Sequence, residues 1–217
     1  MGTNTPLTWS VVIPVKVLAL AKSRLADLAD TDREAVALAM AADTVAAAVA
    51  CPAVGHVIVV SDDAAVRAEV EGLGADVIAD RPGAGLNQAL AAGAEHAAAR
   101  WSDRGLAALT ADLPALSASE LTAALAAASA VAQAFVADAA GSGTTLYTAM
   151  PGVAFSPRFG PQSRMRHREA GAVELDLPDI PGLRRDVDTL ADLRKAARIG
   201  LGRKTLSVRE LIRSGSA

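Results

Sequence analysis

Three aspartates carry the sharpest chemical signal in this 217-residue chain. Asp112 closes an apolar run and is followed by Leu113-Pro114, while Asp186 and Asp188 flank Val187. On an extended segment, carboxylates two residues apart point the same way. Hard oxygen ligands from well-separated loops suit Mg²⁺, which takes one or two carboxylates together with substrate phosphates. The competing assignment is structural, since Asp112 and Asp188 both precede helical patterns and could cap them. Lys16, Lys22 and Arg24 form a second group, on one loop after the first apolar run. Such a loop either cradles a triphosphate, with Arg24 making bidentate contacts, or stays a solvated basic loop. A third group is the stretch Arg158–Arg168, which holds four arginines. With Ser163 as N-cap, a helix starting there would aim its amides at an anion. The alternative is a solvated face, with His167 an ordinary surface histidine.

The glycine loops say less. Gly83-Ala84-Gly85 lacks the third glycine of a dinucleotide-binding loop, and no P-loop sequence is present. Gly141-Ser142-Gly143-Thr144 reads as a hairpin turn, or as backbone donors and a Thr hydroxyl offered to an anion. Cys51, His56, His96, Trp9 and Trp101 are expected to be structural or surface residues.

These groups need elements to position them. Apolar, β-branched runs at Trp9–Val15, His56–Ser61, Ala75–Asp80, Gly105–Thr110, Ala134–Asp138 and Thr145–Met150 read as strands. Helical patterns fall between most of them, and a further helix over Thr189–Ile199 is capped by Thr189. Val173–Leu177 and Gly182–Arg185 read as short edge strands, and a last short helix is expected around Val208–Ile212. Near-continuously apolar strands separated by helices imply a mainly parallel sheet covered on both faces. The expected architecture is therefore α/β, a single domain over residues 1–217 with its core at about 9–200. In such sheets ligands bind beyond the carboxyl ends of the strands. The three charged groups all follow strand ends in the sequence.

Composition narrows the function classes. With 21 basic and 24 acidic residues the net charge is −3, unlike a duplex-binding protein that neutralises phosphates. One cysteine excludes an intramolecular disulfide and a CxxC metal site. No apolar stretch reaches transmembrane length and no secretory leader is visible, so a cytoplasmic protein without membrane partners is expected. Hydrophobic residues make up 52% of the chain but aromatics only 3%, and alanine buries little area per residue, so the core is expected to rest on Val, Leu and Ile.

Six segments together resemble the 2-phospho-L-lactate guanylyltransferase family, whose actinobacterial branch uses phosphoenolpyruvate. They are IPVKVLALAKSRLA (Ile13–Ala26), GLNQAL (Gly85–Leu90), TADLPAL (Thr110–Leu116), VADAAGSGTTL (Val136–Leu146), PRFGPQSRMRHREAGA (Pro157–Ala172) and RRDVDTLADL (Arg184–Leu193). Their order and spacing span nearly the whole chain. The resemblance implies a Rossmann-like, mixed nucleotidyltransferase sheet of the glycosyltransferase-A type. It implies attack by the phosphate of phosphoenolpyruvate, or a related phospho-acid, on the α-phosphorus of GTP, with pyrophosphate leaving. The product would pass to the enzyme that builds the coenzyme F420 precursor. By the same resemblance Asp112 and Asp188, helped by Asp186, hold Mg²⁺, and Thr144, Gly160 and Ser163 hold the phospho-acid. Lys16, Lys22 and Arg24 match the phosphate-binding loop, with Lys22 catalytic, and Gly85 and Asn87 lie near the guanine. Thr145 departs from relatives that carry Asn there. Another cofactor or sugar nucleotidyltransferase, or a non-catalytic nucleotide-binding protein of the same fold, remains the alternative.

Overall fold

The computed structural model of the chain describes residues 7–20, 29–81, 83 and 85–208. Strands and helices alternate through the first half: β1 Trp9–Pro14, α1 Asp30–Val49, β2 Val54–Val60, α2 Ala64–Glu71, β3 Asp76–Ile78, α3 Leu86–Arg100, β4 Gly105–Leu109 and α4 Ala118–Ala128. There follow β5 Gln133–Ala137, β6 Thr144–Ala149, α5 Ser163–Glu169, β7 Val173–Glu174, α6 Pro181–Arg184, α7 Leu190–Ile199 and α8 Arg203–Ser207.

The strands form one sheet in the order β3-β2-β1-β4-β6-β5-β7. β6 runs antiparallel to both neighbours, and every other pairing is parallel. Alternation along β1 explains how both faces are filled. Val11 and Ile13 join the cluster under α1, α2 and α4, which includes Val45, Val70 and Leu125. Val12 joins the opposite cluster with Leu90, Phe135, Tyr147 and Phe159. A third, smaller cluster joins α1 to α7 through Met40, Val187 and Leu193. Both tryptophans lie at the edge where the parallel strands begin. Trp9 opens β1 and is buried, and Trp101, just before β4, stacks on His56 with ring centroids 3.5 Å apart.

Local chemistry fixes the helix ends. Asp63 accepts the amides of Ala65 and Val66 at the start of α2. Ser117 with Glu120, and Thr189 with Asp192, form reciprocal capping boxes on α4 and α7. Buried Asp43 on α1 accepts the amides of Lys204 and Thr205 at 3.0 and 2.8 Å, and so ties α8 to the body.

The sequence misleads in two places. Of the expected strand Gly182–Arg185, residues 182–184 are helical and Arg185 follows as the helix's C-terminal cap. Pro181 occupies the first turn of α6, and the Gly182 amide donates to the buried Glu120 carboxylate at 2.7 Å. The last short helix lies at Arg203–Ser207, earlier than expected, and residues 209–217 are outside the described part.

Candidate active site

Parallel strands bring the residues that follow them to one edge. Lys16 follows β1 and is exposed, and Asp112 follows β4 and is half-buried. Because β6 runs the other way, its first residue, Thr144, reaches this same edge. There Val136 pairs with Leu146 but Ala137 pairs with Thr144, so Thr145 is an extra, bulged residue. A bulge of this kind re-aims the side chains beside it.

The acidic segments meet here. The Ala139 amide donates to the Arg184 carbonyl at 2.7 Å, and the Val187 amide donates to the Asp112 carbonyl at 3.0 Å. Arg184–Asp188 is thereby strung across the ends of β5 and β4, with Asp186 and Asp188 half-buried beside the Asp112 backbone. Neither Asp112 nor Asp188 is a helix cap. Ser117 and Thr189 hold those positions, which removes the structural assignment the sequence left open. Among the described residues no three carboxylate, imidazole or thiol groups form a ready-made metal cage. Two residues before Asp112, the buried Thr110 hydroxyl has no protein partner among the described residues, so the site has polar capacity to spare. Lys22 and Arg24 lie outside the described residues.

Beside the acids, three elements converge on His167. This side chain is fully buried on α5, not a surface histidine. Its Nδ1 lies 3.0 Å from the Thr144 hydroxyl, and its Nε2 accepts the Arg158 amide at 2.8 Å. A backbone N–H can only donate, so Nε2 is bare and Nδ1 carries the single proton of the neutral ring. Phe135, Tyr147 and Phe159 wall the ring in, with centroids 4.9 to 5.5 Å away. Phe155 meets Tyr147 edge-on. Four of the six aromatic rings of the chain therefore stand at this point (Trp 2, Tyr 1, Phe 3). Ser163 lies one turn before His167, on the same helix face. The signal that could have found His167 is that four-residue spacing from Ser163.

The basic stretch is mostly engaged inside the protein. Arg164 and Arg168 both grip Glu174, and Arg166 donates to the Phe159 carbonyl at 3.2 Å. Burial pushes the Glu174 carboxyl up, but the hydrogen bonds from Arg164 and Arg168 outweigh it and hold its pKa below the usual range. The first residue of α5 is Ser163, but the cap is Gln162, in the left-handed region at φ 54°. The Ser163 and Arg164 amides donate to Gly160 and Ser142 carbonyls, so they do not aim at an anion as expected. In the Gly141–Thr144 turn, Asp138 Oδ1 accepts the Ser142 amide at 2.9 Å and its carbonyl accepts the Gly141 amide. The hairpin reading holds for those two donors.

Asn87, in the first turn of α3 after Gly85, makes two bonds to one residue. Its Oδ1 accepts the Phe159 amide at 2.9 Å and its Nδ2 donates to the Phe159 carbonyl at 3.0 Å. This amide clamp ties the start of α3 to the Arg158–Gly160 loop.

Burial drives the His167 pKa down to about 4. The Ser163 backbone hydrogen bond opposes this shift, and the Arg166 and Arg158 charges add to it. The unfolded chain, with an ordinary histidine near 6.5, then binds more protons than the folded one between those values. Stability is full above about pH 6.5 and falls as pH drops towards 4, by on the order of 3 kcal/mol. His56, also lowered, acts in the same direction. Urea midpoints at pH 7.5, 6.0 and 5.0 for the unaltered chain and His167→Asn should show a steeper acid loss for the unaltered chain. Parallel slopes would contradict it.

The chain superimposes on solved structures over most of its length. A putative nucleotide-diphospho-sugar transferase from Desulfovibrio desulfuricans G20 superimposes with a TM-score of 0.71 at 17% identity, covering 95% of this chain and 97% of that one. A Mycobacterium tuberculosis protein in complex with manganese superimposes with a TM-score of 0.56 at 18% identity, covering 88% and 98%. These likenesses define the fold, that of nucleotidyltransferases. The sequence defines more. A family described as guanylyl transferase CofC like matches residues 9–207, and the chain belongs to that family. Phosphoenolpyruvate guanylyltransferase of Thermomonospora curvata is 56% identical over 94% of this chain and 90% of its own length. The enzyme of the same name from Streptomyces coelicolor is 54% identical over 93% and 96%. No helix among the described residues is long and apolar enough to cross a membrane.

Proposed function

We propose that this protein joins GTP to phosphoenolpyruvate and releases pyrophosphate. The observation that carries this reading is the bond from the Val187 amide to the Asp112 carbonyl. It sets the two acidic segments side by side on the edge where Thr144, Gly160 and Ser163 gather. Similarity to enzymes named for this reaction supports the choice of substrates. A phosphate oxygen of phosphoenolpyruvate attacks the α-phosphorus of GTP. The bond from that phosphorus to the bridging oxygen breaks, and the electron pair leaves with pyrophosphate. The nucleophile is already an anion, so the site needs positioning and charge stabilisation more than a base.

Each residue group has a part. Thr144, Gly160 and Ser163 hold the phospho-acid, and Lys16, Lys22 and Arg24 hold the triphosphate, with Lys22 stabilising the charge that develops on it. Gly85 and Asn87 shape the nucleotide side, Asn87 by fixing backbone. Asp112 and Asp188, with Asp186, would hold Mg²⁺, which supplies charge neutralisation to both anions. The product, enolpyruvyl-diphospho-guanosine, serves a following transfer step in coenzyme F420 biosynthesis in the cytoplasm.

The test is pyrophosphate release from each nucleoside triphosphate paired with phosphoenolpyruvate, 2-phospholactate and 3-phosphoglycerate. Release that needs GTP, a three-carbon phospho-acid and a divalent cation is the expected result. No release with any pair would favour a binding protein of the same fold, and release only with a sugar phosphate would favour a sugar nucleotidyltransferase.

A further inference from the structure

The ring of His167 touches every element that carries a proposed phospho-acid contact. Thr144 is at its Nδ1, the Arg158 amide at its Nε2 is two residues before Gly160, and Ser163 lies one turn back on the same helix. Such a hub is unusual for an imidazole with no reacting partner. A buried polar group this well connected fixes the geometry of whatever rests on it.

The geometry points to His167 as the positioning residue of the phospho-acid site, acting through the Thr144 hydroxyl. The inference rests on the reading that Thr144, Gly160 and Ser163 hold phosphoenolpyruvate. The direction of the hydrogen bonds gives the mechanism. Nε2 is bound to accept from Arg158, so Nδ1 holds the proton and faces two acceptors, Thr144 Oγ1 at 3.0 Å and the Ser163 backbone carbonyl. The hydroxyl then serves as acceptor to the ring, and its own proton is left to donate outward. A threonine set in this way offers a donor to an anionic oxygen. The aromatic wall of Phe135, Tyr147 and Phe159 keeps water from the ring, and Asn87 holds Phe159 by both its backbone groups.

Pyrophosphate release at varied phosphoenolpyruvate and at varied GTP separates a positioning role from a general one. His167→Ala is expected to raise KM for phosphoenolpyruvate about tenfold or more, with KM for GTP changed less than about twofold. His167→Asn, whose amide N–H replaces Nδ1–H, should recover most of that loss. Thr144→Val should raise the same KM, and His167→Asn added to it should cost nothing extra in that KM. Thr144→Val also tests the inference if His167→Ala does not fold. Equal rises in both KM values, no rescue by asparagine, or additive effects of the two sites would overturn it while the unaltered protein remains active. An unaltered protein that releases no pyrophosphate from GTP and phosphoenolpyruvate would overturn the underlying reading, and this one with it.

Discussion

Asp112→Ala and Asp188→Ala should each lower pyrophosphate release about a thousandfold or more while the protein still unfolds in a single cooperative transition. The expectation of a surviving fold comes from the caps. Ser117 and Thr189, not the aspartates, terminate the helices that follow, so removing either carboxylate leaves both capping boxes in place. The loss should be in turnover if, as proposed, both carboxylates help to hold the charge that develops on pyrophosphate. The two variants should also fail in the same way. The Val187–Asp112 backbone bond makes their segments one unit, and residues acting as a unit are non-additive. Wild-type rates in either purified variant would remove that aspartate from the site. A collapse of the folded state in both would restore a structural role.

The second large effect is expected at Gly182, in α6 just before the acidic segment. A Cβ there would sit 2.1 Å from the Ala115 carbonyl oxygen and 2.6 Å from Glu120 Oε2. The carbonyl is backbone and cannot swing aside, so α6 must shift outward and lose the bond from its Gly182 amide to Glu120. Gly182→Ala should cost about 2–3 kcal/mol by the usual scale for overpacking. It should also lower activity at temperatures where the variant is still folded, because α6 leads directly into Arg184–Asp188. Gly72→Ala is the matched control. Gly72 has helical φ of −63° and a Cβ there meets only ordinary contacts at 3.4 and 3.6 Å. Its change should stay within about 0.5 kcal/mol. Thermal melts and pyrophosphate release on both variants decide the matter. An unshifted melt for Gly182→Ala would mean that Ala115 moves freely.

Six of the strands and all the longer helices are legible in the sequence because each is long, apolar and bounded by a breaker or cap. The short pieces are legible only in part, since the edge strand from Val173 and the helix from Ser163 are found but α6 is not. Gly182–Arg185 looks extended in isolation, and the helical turn at Pro181–Arg184 draws on the distant Glu120 carboxylate, which accepts the Gly182 amide. The acid cluster is legible because Asp112 ends a strand and strand ends meet. The role of the arginines is not. Four cations in one stretch suggest an anion site, but Glu174 and the Phe159 carbonyl take up three of them. His167 is hidden for the same reason. Its importance comes from Thr144 and Arg158, 23 and 9 residues away in the chain. Asn87 follows the Gly85 loop as expected, but its amide holds Phe159, 72 residues on, at both ends.

The placement of the two tryptophans has a practical consequence. Trp9 and Trp101 stand at the edge where the parallel strands begin, with the whole length of β1 and β4 between them and the acids. Their emission will therefore track loss of the fold and stay silent when substrates arrive. Tyr147, the sole tyrosine, sits on the other side of that divide against His167. Tryptophan emission on its own is thus expected to follow the folding of the strand-start edge, at the opposite end of β1 and β4 from Asp112.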